Sequence, residues 1–460
     1  MEMMKNVETL FEELEEMIVK KEYGKIKALL ATLTPVDIAE LIELESQERR
    51  MLLYRLLPKD TACEVFVEMS SESCRSLIEA FTDNELKETL EELYLDDVVD
   101  IIEEMPASVV KRIIGQSSKE NRGMINQLLK YPKGSCGGIM TTEYVRFTPD
   151  MTVKAALLHI REVALDKETV YTCYVTDNQR RLVGLVTAKD LMLSDPYAKL
   201  DTIIEENVIF ATTEEDKEEV VLKFKKYGFI ALPVVDNEKR LVGIVTVDDA
   251  IDVFSDEVEE DFAKMAAITP SETEYLKTSA FSVFKSRIPW LLLLMISATL
   301  SSTILGFFEN SLIPALVLFV PMLMDSGGNS GSQASVTAIR ALSIGEVKLS
   351  DVHKVLFKEI RVGLLCGLSL GAVAFVKIML VDRLIMNNTD ITAWVALAVS
   401  VTLALTVLIA KMIGASLPLL AKRIGFDPAV MASPLITTLV DAVSLIVYFL
   451  IAGNVFGLRI

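Results

Sequence analysis

Asp441 is the residue whose surroundings say most about chemistry. It sits in the middle of the apolar run Pro428–Gly453, which is long enough to cross a bilayer core as a helix. A charge at that depth costs at least ~2.5–3.5 kcal/mol, so its presence needs a reason. Helical spacing puts Thr437, Thr438, Ser444 and Tyr448 on roughly the same side. Two readings follow. The stripe lines an ion path, or Asp441 is a structural carboxylate bonded to a neighbouring helix.

Three other stretches carry chemistry-bearing residues. Gly327-Gly328-Asn329-Ser330-Gly331-Ser332-Gln333 combines small residues, which admit a second helix or a ligand close to the backbone, with neutral amide oxygens. Pro321, Asp325 and the glycines are expected to bend or unwind this segment beside a cavity. Residues 248–266 read as a helix with Asp249, Asp252, Asp256, Glu259 and Glu260 on one face and Ile251, Phe254, Val258, Phe262 and Met265 opposite. Such a face is either simply solvated or closes on another acidic surface when a divalent cation bridges the two. Finally, Thr187-x-x-Asp190 and Thr246-x-x-Asp249 suit either helix caps or the ribose and phosphate of a nucleotide.

The elements that must position these residues fall into five stretches. Residues 1–130 show apolar residues at helical spacing interrupted by Pro-marked turns, which predicts an all-α superhelical domain. Residues 131–200 and 201–252 are two copies of one α/β unit. Val175–Met192 aligns with Val234–Ile251 at 10 of 18 positions, each copy giving strand, Asp-Asn turn, strand and helix. Residues 248–275 hold the acidic connecting helix, and residues 276–460 five expected membrane helices, Ser286–Glu309, Ser311–Leu342, Arg361–Val381, Thr392–Leu420 and Ala429–Gly453.

Charge follows this division. The first 284 residues carry 33 Lys and Arg against 56 Asp and Glu, a net of −23, whereas residues 285–460 carry 13 against 9. The acidic part argues against nucleic acid and for cationic partners. The five cysteines are scattered and never spaced as CxxC, which fits a reducing compartment and no zinc site. Arg340, Lys348, Lys354, Lys358, Arg361, Lys422 and Arg423 lie in the loops on one side of the spans, and Arg383 and Arg459 on the other. The positive-inside rule therefore predicts a cytosolic N-terminus and an extracytoplasmic C-terminus. No nucleophile–base pair is visible, which argues against an enzyme.

The motifs together resemble the MgtE family of magnesium transporters. Pro321 ahead of GGNSGSQ, Asp427-Pro428-Ala429 ahead of a span with a central Asp, the duplicated unit resembling a CBS pair, and the helical N-terminal domain match it over essentially the whole chain. The resemblance implies a plasma-membrane homodimer whose spans form a pore on the two-fold axis, where Asp441 holds a hydrated Mg²⁺. It implies a pore or packing role for Gly327, Gly328, Asn329, Gly331, Gln333, Pro434 and Thr437. It further implies cytosolic Mg²⁺ sensor sites from Asp249, Asp252, Glu257, Glu260 and Asp261, with Asp216, Glu218 and Asp97 as partners. Thr187, Asp190 and Thr246 match positions that bind ATP or another adenine nucleotide in CBS pairs. Two positions stand apart from what the resemblance supplies: Ser433 stands where an Asn is expected, and no family role carries over to Asp325. The alternatives are a membrane-anchored CBS sensor that regulates a partner, a transporter of Mn²⁺ or Co²⁺, and, against the sign of Asp441, an anion channel.

Overall fold

The computed structural model describes residues 2–270, 275, 278–309, 313–431 and 433–457. The chain divides into two compact units, Met1–Val253 and Phe254–Ile460.

In the first unit, short helices begin where the sequence supplies caps. The Thr34 hydroxyl accepts from the Asp37 N–H ahead of helix Pro35–Glu43, and Thr82 and Glu85 form a reciprocal box ahead of Asp83–Glu92. Pro58 and Pro106 stand at the N-caps of Lys59–Val67 and Ala107–Gln116, where no backbone donor is needed. Pro35–Glu43 packs on Lys59–Val67, that helix on Asp83–Glu92, and that on Ala107–Gln116. Contact between every second helix is the expected superhelical stack. Its core runs from Leu14 through Phe66 and Ile102 into Val220, Leu232 and Val245 without a break. The helix that matters for the site is α1 (Leu95–Glu104).

Each duplicated copy forms a three-stranded sheet. β1 (Tyr144–Phe147) runs parallel to β2 (Thr169–Thr176), which pairs antiparallel with β3 (Leu182–Thr187); β4 (Ala211–Thr212), β5 (Ala231–Val235) and β6 (Leu241–Thr246) repeat the order. Both hairpins turn at the aspartates seen in the repeat. Asp177 Oδ1 accepts from the Gln179 and Arg181 N–H groups, and Asp236 Oδ1 from those of Glu238 and Arg240. The two turns meet, with the Leu182 N–H on the Lys239 carbonyl and the Leu241 N–H on the Arg180 carbonyl. β3 leads into α2 (Ala188–Leu193) and β6 into α3 (Val247–Met265), the acidic helix, which runs on past the division between the units.

The second unit is helical: α4 (Ala280–Glu309), α5 (Val320–Ser343), α6 (Val352–Lys377), α7 (Ala393–Arg423) and α8 (Ser433–Phe456). Among the described residues, four stretches are long and apolar enough to cross a membrane: Ala280–Phe308, Leu349–Ile385, Ala393–Arg423 and Pro428–Phe456. With 24 residues α5 is about 36 Å long, enough to span, but its polar residues keep it out of that group. The expected bend in this segment is absent at the glycines. α5 is a continuous α-helix through all of them, Pro321 sits in its first turn, and the chain breaks earlier, between Pro314–Val317 and Val320. The Tyr448 hydroxyl on α8 donates to the Leu316 carbonyl at 2.8 Å and so caps that break.

Candidate functional site

The glycine motif has two faces. Gly327, Gly328, Ser330, Gly331 and Ala334 are buried, whereas Pro321, Asp325, Asn329, Gln333 and Arg340 are exposed at near-helical steps. On the buried face a side chain at Gly331 would stand 2.9 Å from Ile436, and one at Gly414 of α7 would strike the Gly331 carbonyl. Gly327, Gly328 and Gly331 thus lie close against α7 and α8. Asn329 and Gln333 turn the other way, into an open groove they line with Ser332, Val336 and Thr337.

Asp441 lies at the edge between the two faces. Its Oδ1 stands 3.7 Å from where a Cβ on Gly328 would be, with the Thr437 methyl 3.1 Å from the same point. The carboxylate is half-buried and accepts no hydrogen bond from any described residue, so the structural-carboxylate reading has no partner to supply. The stripe read from helical spacing is only partly right. Ser444 is buried, donates to the Val440 carbonyl and faces Gly327, and Tyr448 is fully buried at the Leu316 break. Thr437 and Thr438 both donate to the Pro434 carbonyl, at 2.9 and 3.1 Å. The Ser433 side chain lies outside the described residues.

A second group of carboxylates gathers within the first unit. Asp96, Asp97 and Asp100 on α1 lie within electrostatic reach of Asp248 and Asp249 at the start of α3, and of Glu143 and Glu168 beside β1 and β2. Burial, followed by the nearby acids, pushes Asp97 up to about 7, Glu168 to about 7 and Asp249 to about 6. Asp96 is also raised, and its buried Oδ1 has no hydrogen-bond partner. Asp249 is partly satisfied by the Thr246 hydroxyl at 2.5 Å. Among the described residues, no three of these groups stand close enough to form a ready metal cage. The arrangement suits a cation that keeps most of its own water and takes one or two carboxylates.

Of the predicted sensor residues, the structure brings Asp97 and Asp249 together and leaves the others elsewhere. Asp252 is exposed on α3. Asp216 caps helix Lys217–Tyr227, accepting from the Glu218 N–H at 2.8 Å, and both side chains are exposed. In the second unit, Asp261 accepts from Ser343 at the end of α5 at 3.0 Å, Glu260 pairs with Lys264, and Glu257 lies one turn before. Lys264 also binds Asp427 Oδ2 at 2.5 Å, and Asp427 Oδ1 caps the turn before α8. The connecting helix is thereby tied to the ends of both helices that carry the motif. Sequence reasoning missed Lys264, Glu143, Glu168, Asp96 and Asp100. A lysine at i+4 from Glu260 was a signal for the first. The others offered none, being single acids among many.

At the duplicated motifs, Thr187 and Asp190 form a reciprocal helix cap, and the Thr246 hydroxyl donates to the Asp249 carboxylate. A helix cap is thus formed at Thr187, and each T-x-x-D ends a strand at the start of a helix.

An acidic helical domain, a duplicated α/β unit and a bundle of long apolar helices define a multidomain membrane protein. The family profiles agree piece by piece: the intracellular N domain of MgtE matches residues 33–134, the CBS domain 136–195 and 200–256, and the MgtE divalent cation transporter domain 320–451. The magnesium transporter MgtE of Thermus thermophilus is 35% identical over 97% of this chain and 98% of its own, and that of Bacillus subtilis 31% over 95% and 96%. A crystal structure of the cytosolic domain of the Mg²⁺ channel MgtE in complex with ATP has a TM-score of 0.50 at 36% identity, covering 52% of this chain and 98% of that one. The soluble part of a magnesium transporter gives 0.51 at 30%, covering 55% and 99%. The chain belongs to the MgtE family of divalent cation transporters, and is a multi-pass membrane protein.

Proposed function

We propose that this protein moves hydrated Mg²⁺ across the plasma membrane through a path lined by Asp441, Asn329 and Gln333, and that cytosolic Mg²⁺ shuts it. The observation that carries this is Asp441: a carboxylate with no hydrogen-bond partner among the described residues, beside Gly328 on an apolar bundle. A polar helix face such as that of α5 cannot rest against lipid. The reading covers it with the same face of a second copy, making a homodimer with Asp441 on the two-fold axis. Ile251, Phe254, Val258 and Phe262 on α3 are likewise exposed in the single chain and favour a second copy. Mg²⁺ gives up water reluctantly, so two facing carboxylates attract it without stripping it.

Closure follows from the acidic first unit. Mg²⁺ bound among Asp97, Asp249 and their neighbours relieves their repulsion and favours the compact state, which is a population shift driven by ion binding to one state. Asp252, Glu257, Glu260, Asp261, Asp216 and Glu218 belong to the same reading as further cation-binding carboxylates. An adenine nucleotide at Thr187, Asp190 and Thr246 is favoured by the relative's complex with ATP. The distribution of Lys and Arg favours a cytosolic N-terminus and an extracytoplasmic C-terminus. Mn²⁺ and Co²⁺ offer the same charge and compete for the path. The test is Mg²⁺ uptake into proteoliposomes. Asp441→Asn should abolish uptake, and normal uptake in that variant removes Asp441 from the mechanism.

A further inference from the structure

We infer that Asp325 is a second cation-attracting carboxylate on the conducting face, and that it weights this path toward divalent over monovalent ions. The inference rests on the reading of Asp441 given above. Asp325 is exposed on α5, in line with Asn329 and Gln333 at steps of four residues. It precedes Gly328 by one turn, and Gly328 is the residue over which the Asp441 carboxylate lies. The two carboxylates act on each other electrostatically.

No described residue donates a hydrogen bond to Asp325, and no described lysine or arginine pairs with it or with Asp441. Lys411 is the one basic residue in the middle of α7, only 5% exposed, and it pairs with neither. Two like charges without a counter-ion, both at membrane depth, are costly whether they face lipid or each other. A cation between them removes the cost. Packing gives no competing reason for an acid here, since position 325 faces away from the bundle.

Charge number is what such a pair reads. The energy of an ion in the field of fixed charges scales with its own charge. A potential that concentrates a monovalent ion n-fold therefore concentrates a divalent one by n squared. Because Mg²⁺ keeps its water shell, it is held at arm's length, and field strength rather than ligand geometry decides occupancy. Across the two-fold axis Asp325 raises the count from two carboxylates to four.

The experiment uses the purified full chain in proteoliposomes, with Mg²⁺ uptake followed over a range of Mg²⁺ concentrations, with and without excess K⁺. The chains compared are the unaltered protein, Asp325→Asn, Asp325→Glu and Asp441→Asn. Asp325→Asn should raise the half-saturating Mg²⁺ by about tenfold and make uptake sensitive to K⁺. Asp325→Glu, which keeps the charge, should recover most of both. The role of Asp325 is overturned if Asp325→Asn leaves half-saturation and K⁺ insensitivity unchanged, or if Asp325→Glu is as impaired as Asp325→Asn. Asp441→Asn separates the two readings. If it transports normally, the path itself is wrong. If it is inactive while Asp325→Asn behaves like the unaltered chain, only the present inference fails.

Discussion

Replacing Asp97 by Asn should stabilise the metal-free protein, and most at alkaline pH. Asp97 is held at about 7 by burial and by Asp249, Glu143 and Asp248 around it. The step from 3.8 to about 7 is roughly 3 units, or about 4 kcal/mol at 1.36 kcal/mol per unit. Glu168 and Asp249 share the same repulsion, so the terms do not add, and partial exposure screens them. An effect of about 2 kcal/mol remains for one removed charge. For a unit of this size that corresponds to roughly 4–8 °C in melting temperature.

The direction with pH is fixed. The folded-state value lies above the ordinary one, so the folded form takes up the proton first. The cost of burying and crowding this charge is absent below the ordinary carboxylate range, grows from there until pH reaches about 7, and is constant above it. Metal-free protein should therefore lose stability between about pH 4 and pH 7 and stay at the lower level above that. Saturating Mg²⁺ should restore what the pH rise removes. Calorimetry of the full chain in detergent, with chelator or with Mg²⁺, reads the transition of the soluble unit. If Asp97→Asn melts no higher than the unaltered chain in chelator at alkaline pH, the acids are not repelling one another and the cation-closure mechanism loses its driving force.

Two further outcomes concern the membrane bundle. Tyr448→Phe takes the hydroxyl donor from the buried Leu316 carbonyl, which keeps the Phe319 N–H, so the variant should lose about 0.5–1.5 kcal/mol, read as a lower unfolding temperature in detergent. Lys411→Met removes a cation that is 5% exposed and has no ion-pair partner among the described residues, and should raise that temperature, by up to about 2 kcal/mol. An unchanged midpoint would mean that the Lys411 ammonium is satisfied after all.

The features read correctly from sequence are those with a local period. The repeat at Val175 and Val234 appeared because strand, Asp turn and T-x-x-D lie within 18 residues, and each is realised by its own hydrogen bonds. The glycine motif reads in sequence as admitting either a helix or a ligand; its glycines face α7 and α8, whereas Asn329 and Gln333 are exposed. Seven residues of small and amide type say that something approaches, without saying from which side. The stripe below Asp441 failed for a related reason. Tyr448 is on the same helix face, but about 10 Å along the axis, where Leu316 rather than a groove is the neighbour. A second small-residue stripe, Gly363, Gly367 and Gly371 on α6, packs on Leu408, Ala404 and Ser400 of α7. Its four-residue spacing was visible in the sequence and passed unremarked.

The sequence by itself determined the order of domains, the acidic excess of the first part, the apolar helices and the single carboxylate within the last of them, because composition and periodicity are properties of contiguous residues. Tertiary structure alone decided which charges meet. Asp97, Glu168 and Asp249 are far apart along the chain and indistinguishable in it from dozens of solvated acids, and only the folding of α1 onto the CBS pair makes them repel. Asp325 and Asp441 likewise belong to different helices, and they become neighbours because Gly328 lets α5 and α8 close over a residue that has no side chain.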